Sequence, residues 1–226
     1  MDYRVEDKYI VDELTWSLIE SRLGCICTPD AHGRDGSYTV RSVYFDDMYD
    51  TCLAENEAGT DAREKFRIRT YDLSEDVISL ELKSKLRGFT NKRSVRLDRR
   101  EAERLFDRDD DLYLDTDSEL VTRLCSQMKY RRMQPVVLIE YERTAYTYDA
   151  GNVRITYDRN IGACTDHGML WDANAPMIPV MPVGQHIMEV KYDELLPGFI
   201  RDVLNTGSLQ RTSYSKYYYA RVMQHI

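Results

Sequence analysis

The chain has 226 residues, 42% hydrophobic and 31% charged, enough for one domain with a sizeable core over 1–226 and too few for two well-built ones. With 31 basic and 39 acidic residues the net charge is −8, which argues against a surface given over to nucleic acid. No stretch approaches eighteen apolar residues, so no membrane-spanning helix is expected.

The opening residues carry both signs of charge and no apolar run, so no secretory signal is expected. The five cysteines contain no CxxC pair and read as reduced thiols of a cytoplasmic protein. The basic residues are concentrated. Positions 63–100 hold twelve Lys or Arg against six acids, and 101–120 hold nine acids against two bases.

In chain order, the dominant pattern is period-2 alternation, the mark of strands with two unlike faces. Segment 4–11 sets Arg4, Glu6 and Lys8 against Val5, Asp7, Tyr9 and Val11. A helix is expected over 13–23, and a strand over 39–47. In 64–72, Lys65, Arg67 and Arg69 oppose Phe66 and Ile68. In 78–85, Glu81, Lys83 and Lys85 oppose Leu80 and Leu82, and after a turn at Gly88, Lys92, Ser94 and Arg96 oppose Val95 and Leu97.

Helices are expected at 98–106 and 117–130, the latter opened by Asp117 or Ser118. A strand over 135–149 places Tyr141 and Arg143 on one face only if Glu140 and Glu142 take the other, and the alternation does not say which is inward. The run Asp149–Ala150–Gly151–Asn152 signals a hairpin into 153–158, where Arg154, Thr156 and Asp158 share a face. The Pro- and Met-containing stretch 166–186 reads as a lid or a crossover. Strand 186–193 follows, with Glu189 and Lys191 on one face, then a helix over 195–205 and a terminal helix capped by Ser213 or Ser215. About eight mainly antiparallel strands and five helices predict an α+β fold closed into a barrel.

Strand faces as cationic as these are costly on a solvated surface. Like charges about 5 Å apart on neighbouring strands repel by roughly 3 kcal/mol at an effective dielectric near 20. Convergence on a polyanion removes that penalty, because phosphate oxygens accept charge-assisted bonds from Arg and Lys. The acids left among the bases, Glu6, Glu81 and Glu189, suit Mg²⁺ or Mn²⁺ bridging protein to phosphate; alternatively they pair with Lys8, Lys83 and Lys191.

The motifs Glu6-x-Lys8, Arg67-x-Arg69, 80–85 (LELKSK), 141–146 (YERTAY), 153–158 (VRITYD), 188–192 (MEVKY) and 215–219 (SKYYY) occur in the order found in VTC domains. The sequence resembles that family, the catalytic domain of the vacuolar transporter chaperone within the triphosphate tunnel metalloenzyme superfamily, from about residue 3 to 222. The resemblance implies an eight-stranded antiparallel β-barrel tunnel with peripheral helices, open at both ends. It further implies synthesis of inorganic polyphosphate from ATP with Mn²⁺ or Mg²⁺.

Carried over, Lys8, Arg67, Arg69 and Lys216 would act in catalysis. Lys83, Lys85, Lys92, Arg96, Tyr141, Arg143, Arg154, Lys191 and Ser215 would bind phosphate, and Glu189 and Glu6 would hold the metal. Lys92 is adjacent to Arg93, so a one-residue slip would exchange their faces. The implied partners are ATP and inorganic polyphosphate, with no nucleic acid and no intrinsic membrane segment. A tripolyphosphatase or nucleoside triphosphatase of the same superfamily is the alternative enzyme. A non-catalytic polyphosphate or inositol-phosphate binding module is the alternative from another class.

Overall fold

A computed structural model describes residues 4–30, 36–86, 89–207 and 209–224. The turn at Gly88 and most of loop 32–36 lie outside these. The first strand, β1 (Val5–Val11), ends at Asp12, whose carboxylate accepts the Thr15 N–H at 2.6 Å and starts α1 (Glu13–Leu23). There follow β2 (Thr28–Pro29), β3 (Ser37–Asp46), α2 (Thr51–Glu57), β4 (Arg63–Tyr71), β5 (Ile78–Leu86) and β6 (Phe89–Leu97). A capping box between Asp98 and Glu101 opens α3 (Arg99–Phe106), and Ser118 caps α4 (Glu119–Arg131). The second half holds β7 (Gln134–Tyr148), β8 (Val153–Cys164), β9 (Ile178–Pro179), β10 (His186–Tyr192), α5 (Gly198–Leu204), β11 (Gln210–Arg211) and α6 (Lys216–Gln224).

All pairings are antiparallel, in the order β11-β1-β10-β8-β7-β3-β4-β5-β6, with β2 on β7 and β9 on β8. The expected closed eight-stranded barrel is thereby corrected. Eight long strands form the continuous wall, but three two-residue strands bring the sheet to eleven, and among the described residues no ladder joins its ends. Among the described residues the two ends meet at an isolated bridge, Arg4↔Thr90, just before β1. The far part of the β1 edge, at Tyr9 and Ile10, is taken by β11.

The wall has two outer apolar coats. On one side Phe66, Ile68, Leu80, Leu82 and Leu97 pack with Ala102 and Leu105 of α3 and Leu124 of α4. On the other, Val11, Ile155, Met188 and Val190 pack with Trp16 and Ile19 of α1 and Ile200 of α5. Stretch 166–186 is a crossover whose Met169, Trp171 and Met177 pack on the first coat. The predicted 153–158 strand extends to Cys164, and α2 appears where no helix was predicted. At Asp149–Asn152 the chain turns with Gly151 at φ +79°, where a Cβ would meet the Leu195 carbonyl at 2.9 Å.

A third cluster lies inside, where the wall faces itself. Tyr38, Val40, Ile139, Ile187 and Tyr141 pack there with Tyr214, Tyr217 and Ala220, which brings α6 against the inner face. The lumen is therefore charged in one part and apolar in another. No helix among the described residues is long and apolar enough to cross a membrane.

Candidate active site

Register sets which side chains share the lumen. Lys8 faces Glu189, Glu6 faces Lys191, and Glu189 faces Thr156. Arg143 faces both Asp158 and Tyr38, while Arg67 faces both Tyr44 and Glu81. A bulge in the β7–β8 pairing between Glu140 and Glu142 accompanies an inward Tyr141 and Arg143. The carboxylates on either side are drawn outward, Glu140 to Arg41 at 2.5 Å and Glu142 to Arg159 at 2.8 Å. Lys92 shares the face of Glu81, whereas Arg93 reaches Glu119 of α4 outside.

The result is a cavity of about 890 Å³ lined by twelve Lys or Arg and three Glu. From the residues predicted for the site it takes Glu6, Lys8, Arg67, Arg69, Lys83, Lys85, Tyr141, Arg143, Glu189, Lys191, Ser215 and Lys216. Lys92, Arg96 and Arg154 are not in its lining. Lys92 is half exposed beyond Glu81, its ammonium 3.1 Å from that carboxylate. Arg96 donates to the Asp76 carbonyl at the exposed end of β6. Arg154 is held by Asp30 at 2.5 Å and by the Tyr38 hydroxyl at 3.0 Å.

Each inner cation is anchored by an acid. Glu189 contacts Lys191 at 2.9 Å, Lys216 at 3.3 Å and Lys8 at 3.4 Å. Burial alone would raise the Glu189 pKa, but those three ammonium groups hold it well below the usual carboxylate range. Glu6 behaves alike. Burial opposes ionisation, and Lys191, Lys83 and Lys8 bring its pKa down to about 2. Asp158, fully buried, accepts two bonds from Arg143 at 2.6 and 2.7 Å and lies 2.6 Å from the Lys216 ammonium. Glu81 holds Arg67 at 2.5 Å and Arg69 at 3.8 Å. The Tyr44 hydroxyl receives Arg67 at 2.9 Å, and Arg67 and Arg69 overcome burial to lower its pKa. Tyr141 receives Arg69 at 3.2 Å, with the Lys216 ammonium 4.8 Å from its ring centroid.

Asp158, Tyr44, Arg63 and Lys65 belong to this arrangement and were not among the predicted site residues. Asp158 shared the alternation of Arg154, and Lys65 that of Arg67, which was the available signal. Ser215 starts α6 by accepting the Tyr218 N–H at 3.3 Å, so the helix places Lys216 inward.

Glu6 and Glu189 are the carboxylates of the cavity wall that could seat a hard divalent cation. Both are ionised oxygen donors lining the cavity, and both approach one ammonium, Lys8, at 3.3 and 3.4 Å. Among the described residues no group of three or more His, Cys, Asp or Glu surrounds a common point. Two carboxylates completed by phosphate oxygens and water are the usual set for Mg²⁺, so the pair fits a cation that arrives with a phosphate chain.

The inner-face partners of Arg143, Tyr141 and Asp158 are Tyr38, Val40 and Ile187, all buried in the inner apolar cluster. Arg154 bridges Asp30 to Tyr38, whose ring stands edge-on to Tyr71 with centroids 5.9 Å apart, and none of these four lines the cavity.

A sequence model of the VTC domain family matches residues 3–224. Among solved structures, a protein from Hippeastrum described as an adenylyl cyclase candidate with dominant triphosphatase activity is similar over 99% of this chain and 96% of its own. Its TM-score is 0.63 at 13% identity. A protein from Bacillus halodurans described as an adenylate cyclase candidate is similar over 89% and 86%, with TM-score 0.51 at 13% identity. At such identity the likeness concerns the fold. No protein of curated description matches the sequence.

Proposed function

Because the chain belongs to the VTC domain family, matched over residues 3–224, we propose that it is a polyphosphate polymerase, moving the γ-phosphate of ATP onto an inorganic polyphosphate end. One observation carries the proposal: Lys8, Arg67, Arg69, Arg143, Lys191 and Lys216 line a single cavity with Glu189 among them. A neutral or cationic substrate would leave that charge uncompensated.

Phosphoryl transfer proceeds through a loose transition state and needs positioning and charge stabilisation more than a strong base. Arg67 and Arg69, fixed by Glu81, Tyr44 and Tyr141, present their remaining donors to the transferred group. Arg143 and Lys216, held by Asp158, orient the neighbouring phosphates. Lys8 stands between Glu6 and Glu189 and neutralises the chain where it meets them. The nucleophile is a terminal phosphate oxygen that is already ionised, consistent with a described lining that contains no histidine. Mg²⁺ or Mn²⁺ held by Glu189 and Glu6 would supply further charge neutralisation on the phosphate oxygens.

A second reading is hydrolysis of tripolyphosphate or a nucleoside triphosphate: water in place of the acceptor phosphate would need little change in the lining, and the Hippeastrum protein of similar fold is described as having a dominant triphosphatase activity. The deciding experiment incubates the protein with ATP and Mn²⁺, with and without a short polyphosphate primer. Polyphosphate is resolved on a gel and free phosphate is assayed in parallel. A ladder with ADP release, lost in Glu189→Gln and Arg67→Ala, supports the polymerase. Free phosphate without a ladder supports the hydrolase. Polyphosphate binding without either product would leave a binding module.

A further inference from the structure

The cations of the cavity fall into two groups. The inner ones each touch a carboxylate, as described for Glu6, Glu81, Asp158 and Glu189. Toward the mouth, Arg63, Lys65 and Lys85 line the same cavity from β4 and β5, and among the described residues none of the three has a carboxylate within ion-pair distance. Arg63 is the register partner of Lys85, and Lys65 that of Lys83. Four cations thus adjoin across two strands, and among the described residues the one ion pair any of them makes is that of Lys83 with Glu6, at 3.2 Å. Such juxtaposition is destabilising in an empty site.

Lys65 is the most confined of the three. Its ammonium donates to Asn56 Oδ1 at 2.6 Å and sits 4.5 Å from the Tyr217 ring centroid. The groups facing it are Arg63 and Arg67 on its own strand, Lys83 and Lys85 on β5, and Lys8 on β1. From α2 come Asn56 and the Cys52 thiol, and from α6 the Tyr217 ring. The Cys52 thiol is buried and pushed up, so it stays neutral, and the Tyr217 hydroxyl donates to Asp46. Glu55 and Glu57 of α2 form no ion pair with Lys65; Glu57 lines the cavity from its exposed rim. Burial first, then the neighbouring Arg63, Lys83 and Lys8, push the Lys65 pKa down to about 7.

We propose that Arg63, Lys65 and Lys85 form a second anion subsite at the cavity mouth, taking the outer end of an oligophosphate chain, and that Lys65 takes up a proton as this subsite fills. The inference rests on the phosphate-binding reading of the cavity and adds a proton-linked step to it. An entering phosphate brings the countercharge that the empty mouth lacks. The ammonium form of Lys65, disfavoured among cations, becomes favoured between anionic oxygens. Binding and protonation are then linked, so each strengthens the other.

The test is calorimetry of tripolyphosphate binding at pH 8, repeated in buffers of different ionisation enthalpy, for the wild type, Lys65→Arg and Lys65→Met. The wild type should take up about 0.9 proton more than Lys65→Arg, since a group of pKa near 7 is about one-tenth protonated at pH 8. The Arg variant, permanently charged, retains affinity, so comparison with it cancels protons exchanged by the ligand and the other lysines. From pH 7 to pH 8 the wild-type affinity should fall about fivefold more than that of Lys65→Arg. Lys65→Met should bind more weakly at pH 7. Equal proton uptake by wild type and Lys65→Arg would overturn this inference while leaving the cavity's phosphate reading intact. Absence of tripolyphosphate binding by the wild type, at any pH tested, would overturn both.

Discussion

Lys216 and Asp158, one at the start of α6 and the other on β8, meet inside the lumen with nitrogen and oxygen 2.6 Å apart. This contact ties the terminal helix to the inner wall. Removing one member leaves the other buried with part of its compensation, Asp158 with Arg143 or Lys216 with Glu189, so the cost lies below the roughly 3–5 kcal/mol of a buried charge left with no partner. Lys216→Met should therefore lower stability to denaturant, with Arg143 still compensating Asp158. Asp158→Asn should cost still more, because it also strips Arg143 of its bidentate partner. The double variant should be less destabilised than the sum of the two, and equilibrium urea unfolding of all three measures that coupling.

Much of this wall was legible from alternation alone. Lys65, Arg67 and Arg69 could face one side only if Phe66 and Ile68 faced the other, and five intervening apolar positions on β4 and β5 reach the outer coat as that pattern requires. Strand β7 was not legible, because Glu140, Glu142 and Arg143 are all charged. What decides its faces is distant: Arg41 for Glu140, Arg159 for Glu142, Asp158 for Arg143. Helix α2 was missed for a similar reason. It is short, and its first turn is satisfied by the buried Asp46, which accepts the Cys52 and Leu53 N–H groups and a bond from Tyr217. The inner apolar cluster was not legible either, because Tyr38, Val40 and Ile187 lie on strands far apart in sequence and come together only through the register.

Replacing Glu189 separates its two roles. Glu189→Gln keeps the shape but leaves Lys8, Lys191 and Lys216 without their shared carboxylate. The empty protein should melt at a lower temperature than wild type. Tripolyphosphate supplies the missing negative charge, so the ligand-induced rise in Tm should be larger in the variant, while turnover with ATP is lost. A thermal-shift titration beside the product assay checks both. An unchanged Tm response would show that the three ammonium groups are not phosphate ligands.

Acid should loosen the same region. Glu6 has a folded pKa of about 2 against an ordinary value of 4.5. A depressed carboxylate pKa gives stability that is present in full above 4.5 and lost as the pH falls toward 2, because the unfolded chain binds the proton first. The wild type should therefore lose stability across that window more steeply than Glu6→Gln. Urea midpoints measured at pH 5 and pH 3 for both proteins give the difference, and parallel losses would exclude the ion pairs of Glu6 as its cause.

Lys65 has the opposite chemistry and gives the opposite test. Its ammonium is disfavoured in the folded state, so between about pH 7 and the ordinary value of 10.5 the unfolded chain holds more protons at this position. Stability contributed by this group therefore rises with pH across that interval, and below pH 7 the penalty of a confined ammonium is fully present. Lys65→Met carries no such charge and keeps much of the aliphatic contact with Tyr217. The variant should be more stable than the wild type at pH 6.5, by about 1–2 kcal/mol after allowance for partial exposure, and the gap should shrink by pH 9. Other groups titrate in this range in both proteins, so the informative quantity is the difference between their urea midpoints at each pH. A gap that stays constant would mean that Lys65 is not strained by its cationic neighbours in the empty cavity.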